Sequence, residues 1–129
     1  MDVKQLQGVG IFAGLSKKEL ENLAHWTDEV SVDEGHELAK EGAFAHEFFV
    51  IEEGSAAVVQ HGERIAELGP GDFFGEIGLL ETERRTASVV ATTPMRLIVM
   101  FQREFKQMEQ AMPAVADRVR SAIRARLDS

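Results

Sequence analysis

The sequence predicts a mainly β domain with helices at both ends, built as an antiparallel barrel or jelly roll of seven or eight short strands. From about residue 28 onward, apolar and polar residues alternate in short runs that glycine interrupts. On either side of this region the apolar residues recur with helical spacing. With 129 residues, 44% of them hydrophobic, the chain has the size of a single domain with its own core.

A helical entry is expected over about residues 8–28. Ser16 and Glu19 have the spacing of a capping box, and Leu20, Leu23 and Ala24 then follow on one helical face. We therefore expect a helix to begin just after Ser16. Trp26 is expected to pack this helix onto the barrel rather than bind a ligand.

The barrel is expected over residues 29–101. Its predicted strands are 29–32, 37–40, 47–51, 56–60, 65–68, 87–92 and 96–101. The glycine-containing junctions at 52–55 and 61–63 suit hairpin turns, because glycine readily adopts a positive φ.

The stretch from Gly75 to Arg85 has the features of an anion site. Gly75 frees the backbone just before an apolar helical turn that is expected to start at Glu76, and the first amides of such a turn have no partner within the helix. Gly75 and Gly78 leave those amides sterically open, and Arg85 supplies a fork of donors that suits a phosphate. The carboxylate of Glu76 cannot bind an anion itself and is better suited to accept hydrogen bonds from sugar hydroxyls. Together these features indicate a nucleotide.

The same stretch resembles a known family. FGEIGLL at residues 74–80, followed by RTA at 85–87, resembles the phosphate-binding cassette of the cyclic nucleotide-binding domain family, here residues 74–88. IFAGLS at residues 11–16 resembles the family's N-terminal helix entry. The likeness covers about residues 8–127, and glycines stand where the family's turn glycines recur: Gly35, Gly42, Gly54 and Gly71.

The resemblance implies an eight-stranded jelly roll (a double-stranded β-helix) that binds cAMP or cGMP without an additional cofactor. It implies that Glu76 accepts from the ribose 2′-hydroxyl and that Arg85 pairs with the cyclic phosphate. Other implied ligand-binding residues are the backbone amides near Gly75, Ile77 and Gly78, then Thr86 and Ala87, and Ile65 and Leu68 against the base. A hydroxyl residue after the arginine is frequent in members that favour cGMP. Arg84 departs from the proline often found before the arginine.

Residues 102–127 are expected to form the C-terminal helices. Phe105, Met108 and Met112 have helical spacing, and Pro113 suits the first turn of a final helix. The apolar stripe of that helix has two interpretations. It packs on its own barrel or on a second copy in a homodimer, or it closes over the bound base as a lid, as the resemblance implies. No DNA-binding, kinase or channel segment follows in the chain, so we expect output to come through a partner, a second copy or further portions of a longer protein.

Charge and composition narrow the function classes. The net charge is −8, with −10 on residues 1–100 and +2 on 101–129, so the barrel is expected to repel DNA. The sequence has no cysteine, no apolar run long enough to span a membrane and no signal-peptide core, which together favour a cytoplasmic protein. The four histidines are widely spaced, and none is expected to bind a metal.

Two other functions are considered beside a non-enzymatic nucleotide sensor. One is a protein-interaction or dimerisation module of the same fold without a ligand, in which Glu76 and Arg85 form a structural ion pair. The other is a small barrel enzyme. No serine lies in a nucleophile elbow, and Glu76 with Glu81 or Glu83 is a weak acid/base pair because the aromatic-lined cleft of a glycosidase is not expected here. Glu81 and Glu83 are expected in a solvated loop, and no catalytic residue is predicted.

Overall fold

The computed structural model describes residues 6–80 and 83–127. Within them, a 3₁₀ turn spans Gly10–Phe12, and the α-helices are α1 (Lys17–Ala24), α2 (Ile77–Leu80), α3 (Gln102–Ala111) and α4 (Pro113–Leu127). The predicted capping box of α1 is confirmed. The Ser16 hydroxyl accepts from the Glu19 amide at 3.2 Å, and the Glu19 carboxylate accepts from the Ser16 amide at 2.9 Å.

The strands form an antiparallel jelly roll, which confirms the predicted fold class. The two four-stranded sheets have the orders β1-β10-β4-β7 and β2-β9-β5-β6, and β3 pairs with β8 separately. The strand bounds are β1 (Asp28–Val32), β2 (Glu37–Ala39), β3 (Phe44–Ala45), β4 (Glu47–Glu53), β5 (Ala56–Gln60), β6 (Glu63–Leu68), β7 (Phe73–Phe74), β8 (Glu83–Arg84), β9 (Ser88–Ala91) and β10 (Met95–Phe101).

Strand β4 separates two apolar cores, because its successive side chains point to opposite faces of the sheet. Phe49 and Ile51 lie in the inter-sheet core between the two sheets. Phe48 and Val50 face the other way, into a helical core formed with the helices. The helical core also contains these buried residues of α2, α3 and α4: Leu79, Phe105, Met108, Val115, Ala116, Val119 and Ile123. Each face of β4 therefore supports a different part of the molecule.

Helix α4 packs within the chain, as one of the two interpretations of its apolar stripe expects. It contacts α3 and the 3₁₀ turn, and Ile123 is fully buried. An ion pair between Arg118 and Glu19 links α4 to α1, and another between Arg120 and Glu109 links it to α3. Trp26 is half-buried against the same helical core, in agreement with its predicted packing role.

Three short strands and one connection differ from the sequence prediction. β3, β7 and β8 have two residues each, too few for an alternating pattern to be recognised. The prediction of a loop at Glu83 is therefore wrong, since Glu83 and Arg84 pair with β3; Glu81 lies outside the described residues. The junction 61–63 joins the β5-β6 hairpin as predicted. The junction 52–55 does not form a hairpin, because β4 and β5 belong to different sheets.

Candidate functional site

The glycine-rich turn between β7 and α2 forms one wall of the site. Gly75 has a φ of +85°, a conformation that residues with a Cβ rarely adopt. α2 begins at Ile77, one residue later than predicted, and the Gly78 amide donates to the Gly75 carbonyl at 3.0 Å. Gly78 is buried, and a Cβ on it would lie 3.3 Å from the carbonyl carbon of Ala45. The turn therefore packs closely on the end of β3.

Arg85 approaches this turn from the strand side. Its backbone amide donates to the Ala43 carbonyl at 2.7 Å, and its Nη2 donates to the Glu47 carbonyl at 2.7 Å. A Cβ added to Gly75 would lie 2.6 Å from Nη1 of Arg85 and would also meet the Glu47 carbonyl. The guanidinium thus occupies the space that the missing side chain of Gly75 leaves open.

The charge of Arg85 is held in a half-buried setting. Burial lowers the pKa of its guanidinium from the ordinary value, while the charges of Glu47 and Glu76 act in the opposite direction. An arginine stays protonated at neutral pH even after such a shift, because its ordinary pKa is so high. The site therefore offers a fixed positive charge, partly removed from water, with the two carboxylates of Glu47 and Glu76 close enough to interact with it.

Two cavities meet at Arg85. The cassette cavity has a volume of about 310 Å³, and the barrel cavity has a volume of about 230 Å³. The cassette cavity is lined by Ala45, Phe73, Phe74, Gly75, Glu76, Ile77, Gly78, Arg84, Arg85 and Thr86. The barrel cavity is lined by Ala39, Val58, Leu68, Phe74, Gly75, Arg85, Thr86, Ala87 and Val89. The charged side chains of Glu76 and Arg84 line the cassette cavity alone, and the barrel cavity is mainly apolar. The two cavities share Phe74, Gly75, Arg85 and Thr86.

The structure brings eight of the nine predicted ligand-binding residues to these cavities. The exception is Ile65, which is 55% exposed on β6 and lines neither cavity. Leu68, on the same strand, does line the barrel cavity. The β5-β6 register shifts at this point, since Val58 pairs with Ala66 and Val59 with Arg64. Ile65 therefore lies in a β-bulge, where the regular alternation of faces along the strand does not apply.

Some contributors to the site could not be found from the sequence. The Glu47 carbonyl that binds Arg85 is a backbone group, and no residue type signals its position. Gln60 donates from Nε2 to the Thr86 carbonyl at 3.0 Å, which ties the β5-β6 hairpin to the cassette. Phe74 stacks on Phe49 with ring centroids 4.9 Å apart and so fixes the start of the glycine turn against the inter-sheet core.

Comparison with known proteins identifies the family. The family model of the cyclic nucleotide-binding domain matches residues 29–111, and this chain belongs to that family. It is 37% identical over 105 residues to the cGMP-dependent protein kinase egl-4 of Caenorhabditis briggsae. That match covers 77% of this chain and 14% of the kinase, so the chain spans a small part of this relative's length.

Solved structures share the fold over almost the whole chain. The N-terminal domain of a transcriptional regulator from Streptomyces coelicolor A3(2) superposes with a TM-score of 0.86 at 25% identity, covering 99% of this chain and 94% of that one. A cyclic nucleotide-binding domain from Methylobacillus flagellatus KT gives a TM-score of 0.82 at 22% identity, covering 98% and 76%. The second likeness concerns the fold alone.

The described residues contain neither a candidate metal site nor a helix suited to span a membrane. Within 6–80 and 83–127, no group of three or more histidine, aspartate or glutamate side chains is placed to hold a metal ion. Among the helices in these ranges, none is both long and apolar enough to cross a membrane.

Proposed function

We propose that this chain is a regulatory domain that binds cAMP or cGMP across the cassette and barrel cavities and signals by moving its C-terminal helix. The observation that carries this proposal is the position of Arg85, half-buried where the cassette cavity, which Glu76 also lines, meets the mainly apolar barrel cavity. A cyclic nucleotide has the matching distribution of groups, since its phosphate is anionic, its ribose carries a hydroxyl and its base is largely flat and apolar.

The phosphate would lie in the cassette cavity. The guanidinium of Arg85 presents donors in a planar fork that matches a phosphate in geometry and charge. Gly75 supports this placement because its lack of a side chain lets donor groups approach closely. Backbone amides near Gly75, Ile77 and Gly78 would complete the cage. The Gly78 amide bonds to the Gly75 carbonyl in this structure and would have to change partner to take part.

The ribose and base would extend from the phosphate on both sides of Arg85. Glu76 lines the cassette cavity, where its carboxylate can accept from the ribose 2′-hydroxyl. Leu68 and Ala87 give the barrel cavity an apolar wall for the base. Thr86 lines both cavities, so its hydroxyl is placed to contact either the phosphate or a guanine. A cGMP-dependent kinase among the relatives agrees with the cGMP alternative.

A packed route joins the cassette to the C-terminal helices. Leu79 of α2 is 1% exposed and lies in the helical core with Phe105 of α3 and Ile123 of α4. A ligand that pulls the glycine turn inward would therefore displace a buried side chain against α3. Coupling follows if the nucleotide binds the two arrangements of these helices with different affinity. The described residues of α4 line neither cavity here, so a lid over the base would require α4 to move.

Calorimetric titration with cAMP and cGMP tests the proposal. We expect micromolar or tighter binding of at least one nucleotide, and a loss of about a hundredfold or more in Arg85→Ala, since the deletion removes a charged partner from a half-buried anion. Arg96→Ala is the matched control, because Arg96 is half-exposed on β10 and bonds Glu53 at 3.3 Å, away from both cavities. Equal affinity in the Arg85→Ala and Arg96→Ala variants would refute the site assignment.

The same titration separates the sensor from a ligand-free interaction module. That module predicts no heat with either nucleotide and an association that depends only on protein concentration. Helix α4 already buries Val115, Val119 and Ile123 within the chain, so dimerisation through this apolar face would require α4 to leave its packed position.

A further inference from the structure

The side chain of Arg84 makes two contacts with the segment that contains Gly42 and β3. Its Nη1 donates to the Gly42 carbonyl at 2.8 Å, and its guanidinium carbon lies 4.5 Å from the ring centroid of Phe44. Phe44 is also the residue that pairs with Arg84 in the β3-β8 ladder. Arg84 is exposed, and an exposed arginine without partners would sample many rotamers.

Gly42 connects this side chain to the backbone of Arg85. The Gly42 amide donates to the Arg85 carbonyl at 2.8 Å, while the Gly42 carbonyl accepts from Arg84. The Arg85 amide donates in turn to the Ala43 carbonyl. Gly42 and Ala43 thus bind both the side chain of Arg84 and the backbone of Arg85.

The β3-β8 ladder, which ends just before Arg85, is short. β3 and β8 have two residues each and belong to neither four-stranded sheet. Phe44 is 55% exposed, so its ring is not held by either core. The contacts of Arg84 with Gly42 and Phe44 therefore add to the backbone bonds of Arg85 and the packing of Gly78 on Ala45 in keeping this ladder closed. Arg84 and Arg85 both line the cassette cavity, next to the glycine turn.

We propose that Arg84 is a positioning residue for ligand binding, which closes the β3-β8 ladder and thereby holds the Arg85 guanidinium at the junction of the two cavities. This inference rests on the proposed function. Holding Arg85 before the ligand arrives reduces the ordering that binding must supply, so affinity depends on Arg84 even though its bonds are made to the protein.

The first test compares substitutions of Arg84 by calorimetric titration with cAMP and cGMP. We expect Arg84→Ala to weaken binding about fivefold, as for residues coupled through shared contacts. Arg84→Lys separates positioning from charge. Lysine keeps the positive charge but cannot reproduce the planar stacking and fork geometry, so it should lose about as much affinity as alanine. Full affinity in Arg84→Lys would show that charge alone matters and would overturn the inference. Arg96→Ala again serves as the control.

The second test asks whether Arg84 acts through Arg85. In an Arg85→Lys background, Arg84→Ala should weaken binding by less than about twofold, because the positioned guanidinium is already absent. Amide hydrogen exchange of ligand-free Arg84→Ala should be faster at Arg85 and Gly42, with unchanged exchange in β10. If Arg84→Ala weakened binding as much in the Arg85→Lys background as in the unsubstituted chain, or if exchange at Arg85 were unchanged, this inference would be overturned but the proposed function would stand. Absence of binding by the unsubstituted chain would overturn the proposed function with it.

Discussion

At the scale of single residues, the site depends on how closely Gly75 and Arg85 approach one another. Gly75 combines a positive φ with a position where any side chain would meet the guanidinium of Arg85. These two requirements are separable, because Gly71 has a similar φ of +90° but nothing within 4 Å of its Cβ position. Gly71 therefore serves as a control for the steric effect of a side chain at Gly75.

Substitution of these two glycines should distinguish backbone strain from displacement of Arg85. Gly71→Ala should lower the free energy of unfolding by about 1–3 kcal/mol, the cost of a non-glycine residue at such a φ. Gly75→Ala should lower it further, because its methyl group would also clash with the Glu47 carbonyl oxygen. Only Gly75→Ala should also lose nucleotide affinity, because its methyl group forces Arg85 away. Urea unfolding and calorimetric titration measure the two effects. A similar loss of affinity in both variants would show that the position of Arg85 does not depend on this contact.

Glu52 is a buried carboxyl outside the candidate site. It is 8% exposed, and its Oε1 has no hydrogen-bond partner in the structure described here. Burial raises the pKa of Glu52 from 4.5 to about 7; Glu29 acts in the same direction through a hydrogen bond and its charge, and Arg96 opposes the shift. Below pH 4.5 the carboxyl is protonated in both folded and unfolded chains. As pH rises toward 7 the unfolded chain releases this proton first, so stability falls.

Glu52→Gln should remove this pH dependence. At pH 8 we expect the variant to be more stable than the unsubstituted chain by about 3 kcal/mol, since folding raises the pKa of Glu52 from 4.5 to about 7 and one pKa unit corresponds to about 1.4 kcal/mol. The advantage should shrink as pH falls toward 5.5. Urea unfolding across this range measures it, with Glu53→Gln as the control because the Glu53 side chain is 69% exposed. The same pH profile in both variants would contradict the assigned role of Glu52.

The residue types of the site were readable from the sequence, but their contacts were not. Glycine and arginine at residues 75 and 85 predicted an anion site, and glutamate at residue 76 predicted an acceptor for sugar hydroxyls, because each type has a distinctive chemistry. The Glu47 carbonyl that holds Arg85 has no such signature. Ile65 was predicted to pack against the base together with Leu68, but it lies in a β-bulge of β6 that no residue type in the sequence signals.

At the scale of elements, the short helix α2 links the candidate site to the helical core. Its glycine-rich start lines the cassette cavity, and its end buries Leu79 with Phe105. A change at the glycine turn therefore has direct packing consequences for α3 and, through α3, for α4.

Truncation of Leu79 tests this route. Leu79→Ala should lower the free energy of unfolding by about 3 kcal/mol, as expected for a buried leucine, and should reduce the nucleotide-dependent change in hydrogen exchange of α3 and α4. Leu97→Ala removes a fully buried leucine from the inter-sheet core and should cost similar stability. Leu97→Ala should leave the nucleotide-dependent change intact. An equal response in both variants would argue against transmission through Leu79.

Alternation predicted the longer strands but not the shortest ones. Each of the seven predicted strands is present. They could be predicted because runs of about five residues with strand-like composition and spacing, bounded by turn residues, indicate a strand. β3, β7 and β8 form through pairing with distant segments and leave no local pattern. The connection after β4 was mistaken for a hairpin because its glycine predicts a turn, whereas the partners of β4 and β5 are set by the jelly-roll topology.

At the scale of the whole molecule, the charge distribution favours a small ligand over an extended polyanion. The net charge of −8 opposes the approach of any anion, so attraction must come from groups inside the site. Arg85 supplies that attraction in a setting where water is partly excluded and its interactions are less screened. The distribution favours a ligand small enough to enter the cavities over an extended polyanion such as DNA.

The measurement that tests the central claim most directly is a crystal structure of the chain with bound cGMP or cAMP. We predict phosphate oxygens within hydrogen-bond distance of the Arg85 guanidinium, the ribose 2′-hydroxyl on Glu76 and the base in the barrel cavity beside Leu68 and Ala87. A nucleotide bound elsewhere, with Arg85 still bonded only to the Glu47 carbonyl, would contradict the proposed site.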